Sequence, residues 1–290
     1  MEDIIVIVGP TGVGKTKLSI ELAKKLDAEI INGDSVSIYK KLDIGSAKPS
    51  IEERDGIIHH LIDIRNVLED YSVYDYQKDV RDLIKDISSR GKRIIIVGGT
   101  GLYIKAALYN YKFQEGISYN DYSKYTSEEL INKIKEYNID NIPDINNRRR
   151  LERLLTRLEN NEEITNTKDE LLYPVKVIGL TTDRELLYKR INDRVDIMIN
   201  NGLIDEVKSL RDYYPNSRIL NSAIGYKEFY DYLYKDKDIN LVIDEIKLNS
   251  RRFAKRQYTF FKHQFDVRWF DVDFNNFNNT INDVINYIKK

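Results

Sequence analysis

Two short stretches near the N-terminus hold residues whose types and spacing can do chemistry. The first, GPTGVGKT, runs from Gly9 to Thr16 with the spacing G-x-x-x-x-G-K-T. In that pattern Gly9, Pro10, Thr11, Gly12, Val13 and Gly14 form a loop whose backbone N–H groups surround an anion at the start of a helix. Lys15 adds a point charge, and the Thr16 hydroxyl suits Mg2+. The loop is therefore read as a polyphosphate site, with ATP as one occupant among several. The second stretch, NGDSVSIY from Asn32 to Tyr39, sets Asp34 just past an apolar run. A carboxylate there can take a proton from a nucleophile or hold Mg2+ through water. A turn-forming or helix-capping aspartate fits the spacing equally well.

A hydrolase of ATP or GTP also carries an acid on a nearby strand to position Mg2+. Here the apolar run RIIIV passes into GGTGLY, Gly98 to Tyr103, with no Asp or Glu, which argues against ATP hydrolysis. The Thr100 hydroxyl can meet a second phosphate or an acceptor, or the glycines can simply make a tight strand-to-helix turn. His59, His60 and His263 lack metal-ligand spacing and are read as structural.

These residues need elements to position them. Apolar runs at 3–8, 28–32, 93–97 and 175–180 read as strands, with helical patterns at 14–26 and 74–90 between the first three. Such alternation predicts an α/β fold: a P-loop core with a parallel sheet flanked by helices. From about Phe113 the chain turns polar and then helical near 127–137 and 147–159. Residues 113–170 are therefore expected to form a small helical insertion domain in a core made of 1–112 and 171–290. The remainder reads as mostly helical, with a late strand at 266–271 and a closing helix near 276–289.

Composition narrows the class. With 46 basic and 47 acidic residues in 290, net charge gives no support for a nucleic-acid partner, so any such partner must be met by local clusters. The absence of cysteine excludes disulfides and thiolate chemistry. No apolar stretch is long enough for a membrane span, and Met1-Glu2-Asp3 is no signal-peptide start, so a cytoplasmic, monomeric protein without a membrane partner is expected. Two basic clusters stand out. In RRRLERLLTRLE, Arg149, Arg153 and Arg157 share one helix face and Leu151, Leu154, Leu155 and Leu158 the other. In RRFAKRQYTFFK, Arg252 and Arg256 recur at four residues and Phe253 and Phe260 at seven. Each cluster fits either an RNA backbone or a salt-bridged surface.

Taken in order, GPTGVGKT, INGDSVSIYKKLDIGSAKP, HHLID, GGTGLYIKA, RRRLERLL, RVDIMINNGLIDEV, SAIGYKE and RRFAKRQYTFF resemble the bacterial tRNA dimethylallyltransferases, also called tRNA isopentenyltransferases. The resemblance spans nearly the whole chain. It implies transfer of a dimethylallyl group from dimethylallyl diphosphate to N6 of the adenosine 3′ of the anticodon, with release of pyrophosphate. The phosphate loop, Gly9 to Thr16, would then hold the donor diphosphate rather than ATP, with Mg2+ near Thr16. Asp34, Lys15 and Thr100 match the family's catalytic residues. The expected contacts to the tRNA anticodon stem-loop are Thr11, Asp34, Ser35, Val36, Ser37, Thr100, Arg149, Arg150, Arg153, Lys255, Arg256 and Gln257.

This chain departs from the family pattern in places. Ser37 stands where the family usually has Gln, and Phe260 where it has Trp. Ser222 stands where Arg or Gln is common, which points to Arg218 or another cation as a replacement. The segment between Tyr125 and Arg148 is shorter than usual. The rival readings are an adenylate isopentenyltransferase, a small-molecule kinase and a non-catalytic RNA-binding module.

Overall fold

The run from Ile4 to Val8 is apolar at every position and needs cover on both faces, and this chain supplies it with helices. The computed structural model describes residues 3–111, 120–139, 142, 145–160 and 170–290. The first half of the core contains β1 (Ile4–Val8), α1 (Lys15–Leu26), β2 (Ala28–Asn32), α2 (Ile51–Arg54), β3 (His59–His60), α3 (Val73–Ser89), β4 (Arg93–Val97) and α4 (Gly101–Leu108). Two helices follow, α5 (Ser127–Lys135) and α6 (Arg148–Glu159). The core resumes with β5 (Val175–Thr181), α7 (Arg184–Asn200), α8 (Leu203–Tyr213), α9 (Phe229–Tyr234), α10 (Ile239–Gln264), β6 (Arg268–Asp271) and α11 (Phe277–Ile288).

The strands form one parallel sheet in the order β3-β2-β4-β1-β5-β6. Alternate residues of β1 point to opposite faces. Ile4, Val6 and Val8 join a cluster that includes Tyr76, Val207, Ile246 and Phe261, while Ile5 and Ile7 join Leu18, Leu22, Ile281 and Val284. The two-residue strand β3 was not expected from sequence. Its residues are two histidines, which carry no apolar run.

Two compact units result: Met1–Asn110 with Leu171–Lys290, and Tyr111–Glu170. The expected boundary at 112/113 lies outside the described residues. Where the chain leaves and re-enters the larger unit, Tyr109 and Leu171 form an antiparallel bridge, and Leu172 N donates to Leu108 O at 2.9 Å. The smaller unit has its own apolar centre, made by Tyr122, Leu130, Ile134, Ile142, Leu151 and Leu155.

Candidate active site

Because β2, β4 and β1 are parallel neighbours, their carboxyl ends open on the same side of the sheet. The Asp34 segment, the GGTG turn and the phosphate loop follow those three ends directly. This arrangement juxtaposes residues far apart in sequence, at the position where open α/β sheets bind ligands.

The phosphate loop turns into α1 at Gly14, whose φ of 102° is a left-handed conformation that glycine adopts without strain. Val13 is fully buried and anchors the loop in the core. Lys15 folds back so that Nζ donates to Gly9 O at 2.9 Å and Pro10 O at 2.8 Å. Burial, reinforced by the nearby Arg194 charge and opposed by Asp34, lowers the Lys15 pKa to about 7. Thr16 is exposed and lines the cleft.

The Asp34 turn is tied down by Asn32, whose Oδ1 accepts from Asp34 N at 3.1 Å and whose Nδ2 donates to Asp34 O and Leu61 O, both at 2.9 Å. Asp34 Oδ1 in turn accepts from Val36 N at 2.9 Å. The neighbouring turn meets this one backbone to backbone. A Cβ on Gly98 would sit 2.2 Å from the Gly33 carbonyl, and Thr100 N donates to Gly33 O at 3.0 Å. Thr100 Oγ1 accepts from Ser35 N at 3.0 Å and lies 3.2 Å from Ser35 Oγ. Thr100 therefore orients the strand-end segment that carries Asp34.

A cleft of about 800 Å3 runs through this region, lined by Thr11, Gly12, Lys15, Thr16, Asp34, Ser37, Gly99 and Arg194 among others. Ser37 is buried at its wall, and Val36 packs partly against the core. Gln257 is also buried, with its amide placed between the phosphate loop and Gly99. Lys255 and Arg256, its neighbours on α10, are exposed. Arg149, Arg150 and Arg153 are exposed on α6 in the smaller unit.

Sequence reasoning missed the cations that α7 brings to the loop. Arg190 Nε donates to Gly12 O at 3.1 Å, and an Arg194 guanidinium nitrogen lies 3.4 Å from Thr11 Oγ1. Their spacing of four, in RINDR, was a readable sign that both share one helix face. Arg218, named from sequence along with other cations as a replacement, lies 3.5 Å from Asp70, and both side chains are exposed. Arg194 supplies positive charge inside the cleft.

Other matched segments prove to be braces. Glu206 accepts from the backbone N–H groups of Asp43, Ile44 and Gly45 at 3.2, 2.8 and 3.1 Å, and from the Tyr226 hydroxyl at 2.7 Å. Lys48 is buried between Asp43 and Asp63, 2.6 Å from each. His60 contacts the buried Glu29 at 2.7 Å. His59 bonds Ile57 O at 2.9 Å and lines the cleft.

The pattern that defines the family described as IPP transferase matches residues 37–264. The chain belongs to the IPP transferase family. It is 46% identical to a tRNA dimethylallyltransferase of Anoxybacillus flavithermus, over 99% of this chain and 96% of that one. A Bacillus cereus protein of the same name is 45% identical, over 93% of this chain and 90% of the other. Among solved structures it is similar to a full-length tRNA isopentenylpyrophosphate transferase of Bacillus halodurans. That match has 41% identity and a TM-score of 0.77, covering 100% of this chain and 96% of that one. A eukaryotic dimethylallyltransferase acting on tRNA is 28% identical with a TM-score of 0.78, covering 99% and 80%. Like other IPP transferases, the protein is an enzyme that transfers a group. Among the described residues no helix is long and apolar enough to cross a membrane.

Proposed function

We propose that this enzyme moves a dimethylallyl group from dimethylallyl diphosphate to N6 of the adenosine 3′ of a tRNA anticodon, releasing pyrophosphate. The observation that carries the reading is the meeting of a phosphate loop with a carboxylate, Asp34, in one cleft, with no acid in the Gly98–Tyr103 turn that follows β4. That arrangement suits departure of a diphosphate and deprotonation of an attacking amine better than hydrolysis of ATP.

In the reaction the bond between C1 of the prenyl group and the diphosphate oxygen breaks, and a bond from N6 to C1 forms. The electron pair of the broken bond leaves with pyrophosphate. Loop N–H groups, Lys15 and Arg194 stabilise that growing charge. N6 loses a proton as it attacks, and Asp34 accepts it. The Val36 N–H holds one carboxylate oxygen of Asp34, which fixes the orientation of the other.

The donor set also fits Mg2+. Among the described residues no cluster of three His, Cys, Asp or Glu exists, and Mg2+ needs none when phosphates and water fill most of its sphere. The Thr16 hydroxyl would hold it, with Asp34 reaching it through water. Bound there, Mg2+ would neutralise diphosphate charge.

The tRNA backbone is assigned to exposed Arg149, Arg150 and Arg153 on α6 and to exposed Lys255 and Arg256 on α10. The target base must leave its stack to react, so these side chains serve an unpaired loop. Incubation of prenyl-labelled dimethylallyl diphosphate with tRNA, AMP or no acceptor tests the reading. Label is expected in tRNA. Label in AMP would make the enzyme an adenylate transferase, and phosphate transfer from γ-labelled ATP would make it a kinase.

A further inference from the structure

Helix α10 turns a stripe containing Val242, Ile246, Ala254 and Phe261 inward, and Gln257 falls on that stripe. A buried side-chain amide is costly unless both ends are bonded. Here both are. Gln257 Oε1 accepts from Thr11 N at 2.9 Å, and Nε2 donates to Gly99 O at 3.1 Å. The amide thus spans from the phosphate loop after β1 to the turn after β4, with only 4% of the residue exposed. The fit is close: a Cβ on Gly99 would fall 2.0 Å from Gln257 Nε2 and 3.9 Å from Asp34 Oδ2. One turn further along α10, the Phe260 ring lies against Gly101, where an added Cβ would be 2.2 Å from it. On its other side α10 is fastened to α7 by Arg251 to Asn192 and Lys247 to Asp196, both at 2.6 Å. The phosphate loop is therefore bracketed, by α7 through Arg190 and Arg194 and by α10 through Gln257.

We propose that Gln257 is a positioning residue for the donor site: it touches neither substrate, and by joining Thr11 N to Gly99 O it holds the loop at the spacing from Asp34 that a bound diphosphate requires. With both Gln257 bonds cut, the bracket on the α10 side is gone and only the contacts to α7 remain, so the Thr11 end of the loop can shift and its N–H groups then no longer converge on one anion. This role differs from the contact with the tRNA expected of Gln257 from sequence: each end of its amide already carries a bond inside the protein.

The inference rests on the reading of the loop as a diphosphate site, so binding of inorganic pyrophosphate by the wild-type enzyme, at fixed Mg2+ and without tRNA, is measured first. Failure there would overturn that reading and this one together. If wild-type binds, Gln257→Met, which keeps the volume and removes both hydrogen bonds, is expected to bind pyrophosphate roughly 5- to 30-fold more weakly, the factor for one or two missing interactions of this kind. Its affinity for an anticodon stem-loop should stay within about twofold, and in transfer assays the loss should fall on the KM for the donor. Gln257→Glu supplies a second readout. Its ionised side chain can accept from Thr11 N but cannot donate to Gly99 O, whereas the protonated acid does both. Its pyrophosphate affinity, taken relative to wild-type at each pH, should recover as the pH falls. Wild-type pyrophosphate affinity in Gln257→Met, whether or not its melting temperature falls, would overturn the proposal and leave a packing role. Loss of stem-loop affinity with pyrophosphate binding intact would also overturn it and make Gln257 a tRNA contact. A flat ratio across pH for Gln257→Glu would count equally against it.

Discussion

Lys15 spends its ammonium on two carbonyls of its own loop, so an arriving diphosphate has to draw it away from Gly9 and Pro10. Its pKa, lowered to about 7 by burial and then by Arg194, sets the sign of the pH effect. Below that pH the free enzyme presents a cation, and above it an amine. Pyrophosphate affinity should weaken as the pH rises through about 7 in wild-type. Lys15→Ala should bind weakly on both sides and lack the step; calorimetry across the neutral range checks this. Asp34→Asn should keep donor and tRNA binding and lower single-turnover transfer by roughly 10²-fold or more, the size expected when a general base is removed. A near wild-type rate in that variant would remove Asp34 from the proton transfer. Lys15, Thr16 and Asp34 were readable in sequence because each sits next to glycines or an apolar run that dictates its surroundings. Arg194 was not, and Gln257 was named only as a tRNA contact that the resemblance implies, because the spacing of a polar residue within a helix does not say which loop that helix will cover.

Strands were legible as apolar runs, and their ends as places for chemistry. Their order was not. Strands buried on both faces carry no mark of their neighbours, so nothing in AEIIN or RIIIV showed that β4 lies between β2 and β1, the order that brings Thr100 beside Ser35. Helix α6 shows the same limit at finer grain. Arg148 looks like its neighbours in sequence, yet its guanidinium donates to the carbonyls of Tyr125 and Tyr122 at 2.7 and 2.8 Å and pairs with Glu152. It is a brace of the smaller unit, whereas Arg149 and Arg153 are exposed. Changing Arg149 and Arg153 together to Glu should raise the KM for tRNA and leave that for the donor. For every phosphate that either arginine neutralises, the substitution should flatten the log–log salt dependence of tRNA binding by roughly 0.7 to 0.9. An unchanged slope beside a lowered melting temperature would assign these arginines to internal ion pairing instead.

On the scale of the molecule, the chain interrupts its sheet between α4 and β5 to build a second unit and then returns to the place it left. The Tyr109–Leu171 bridge closes the larger unit before the smaller one begins, so residues 111–170 branch from the core like a loop from a hairpin. Replacing 111–170 with a short Gly-Ser turn is expected to leave a protein with one cooperative melting transition and pyrophosphate affinity within about twofold of the full chain. Its tRNA affinity should fall roughly tenfold or more, as when several backbone phosphates are no longer neutralised. Failure of that shortened chain to fold would mean the branch supports the core. A branch closed at its base is also an exchangeable part. If the smaller unit holds the tRNA as proposed, a different insert between Asn110 and Leu171 would change which nucleic acid is held and leave the residues that make the carbon–nitrogen bond as they are.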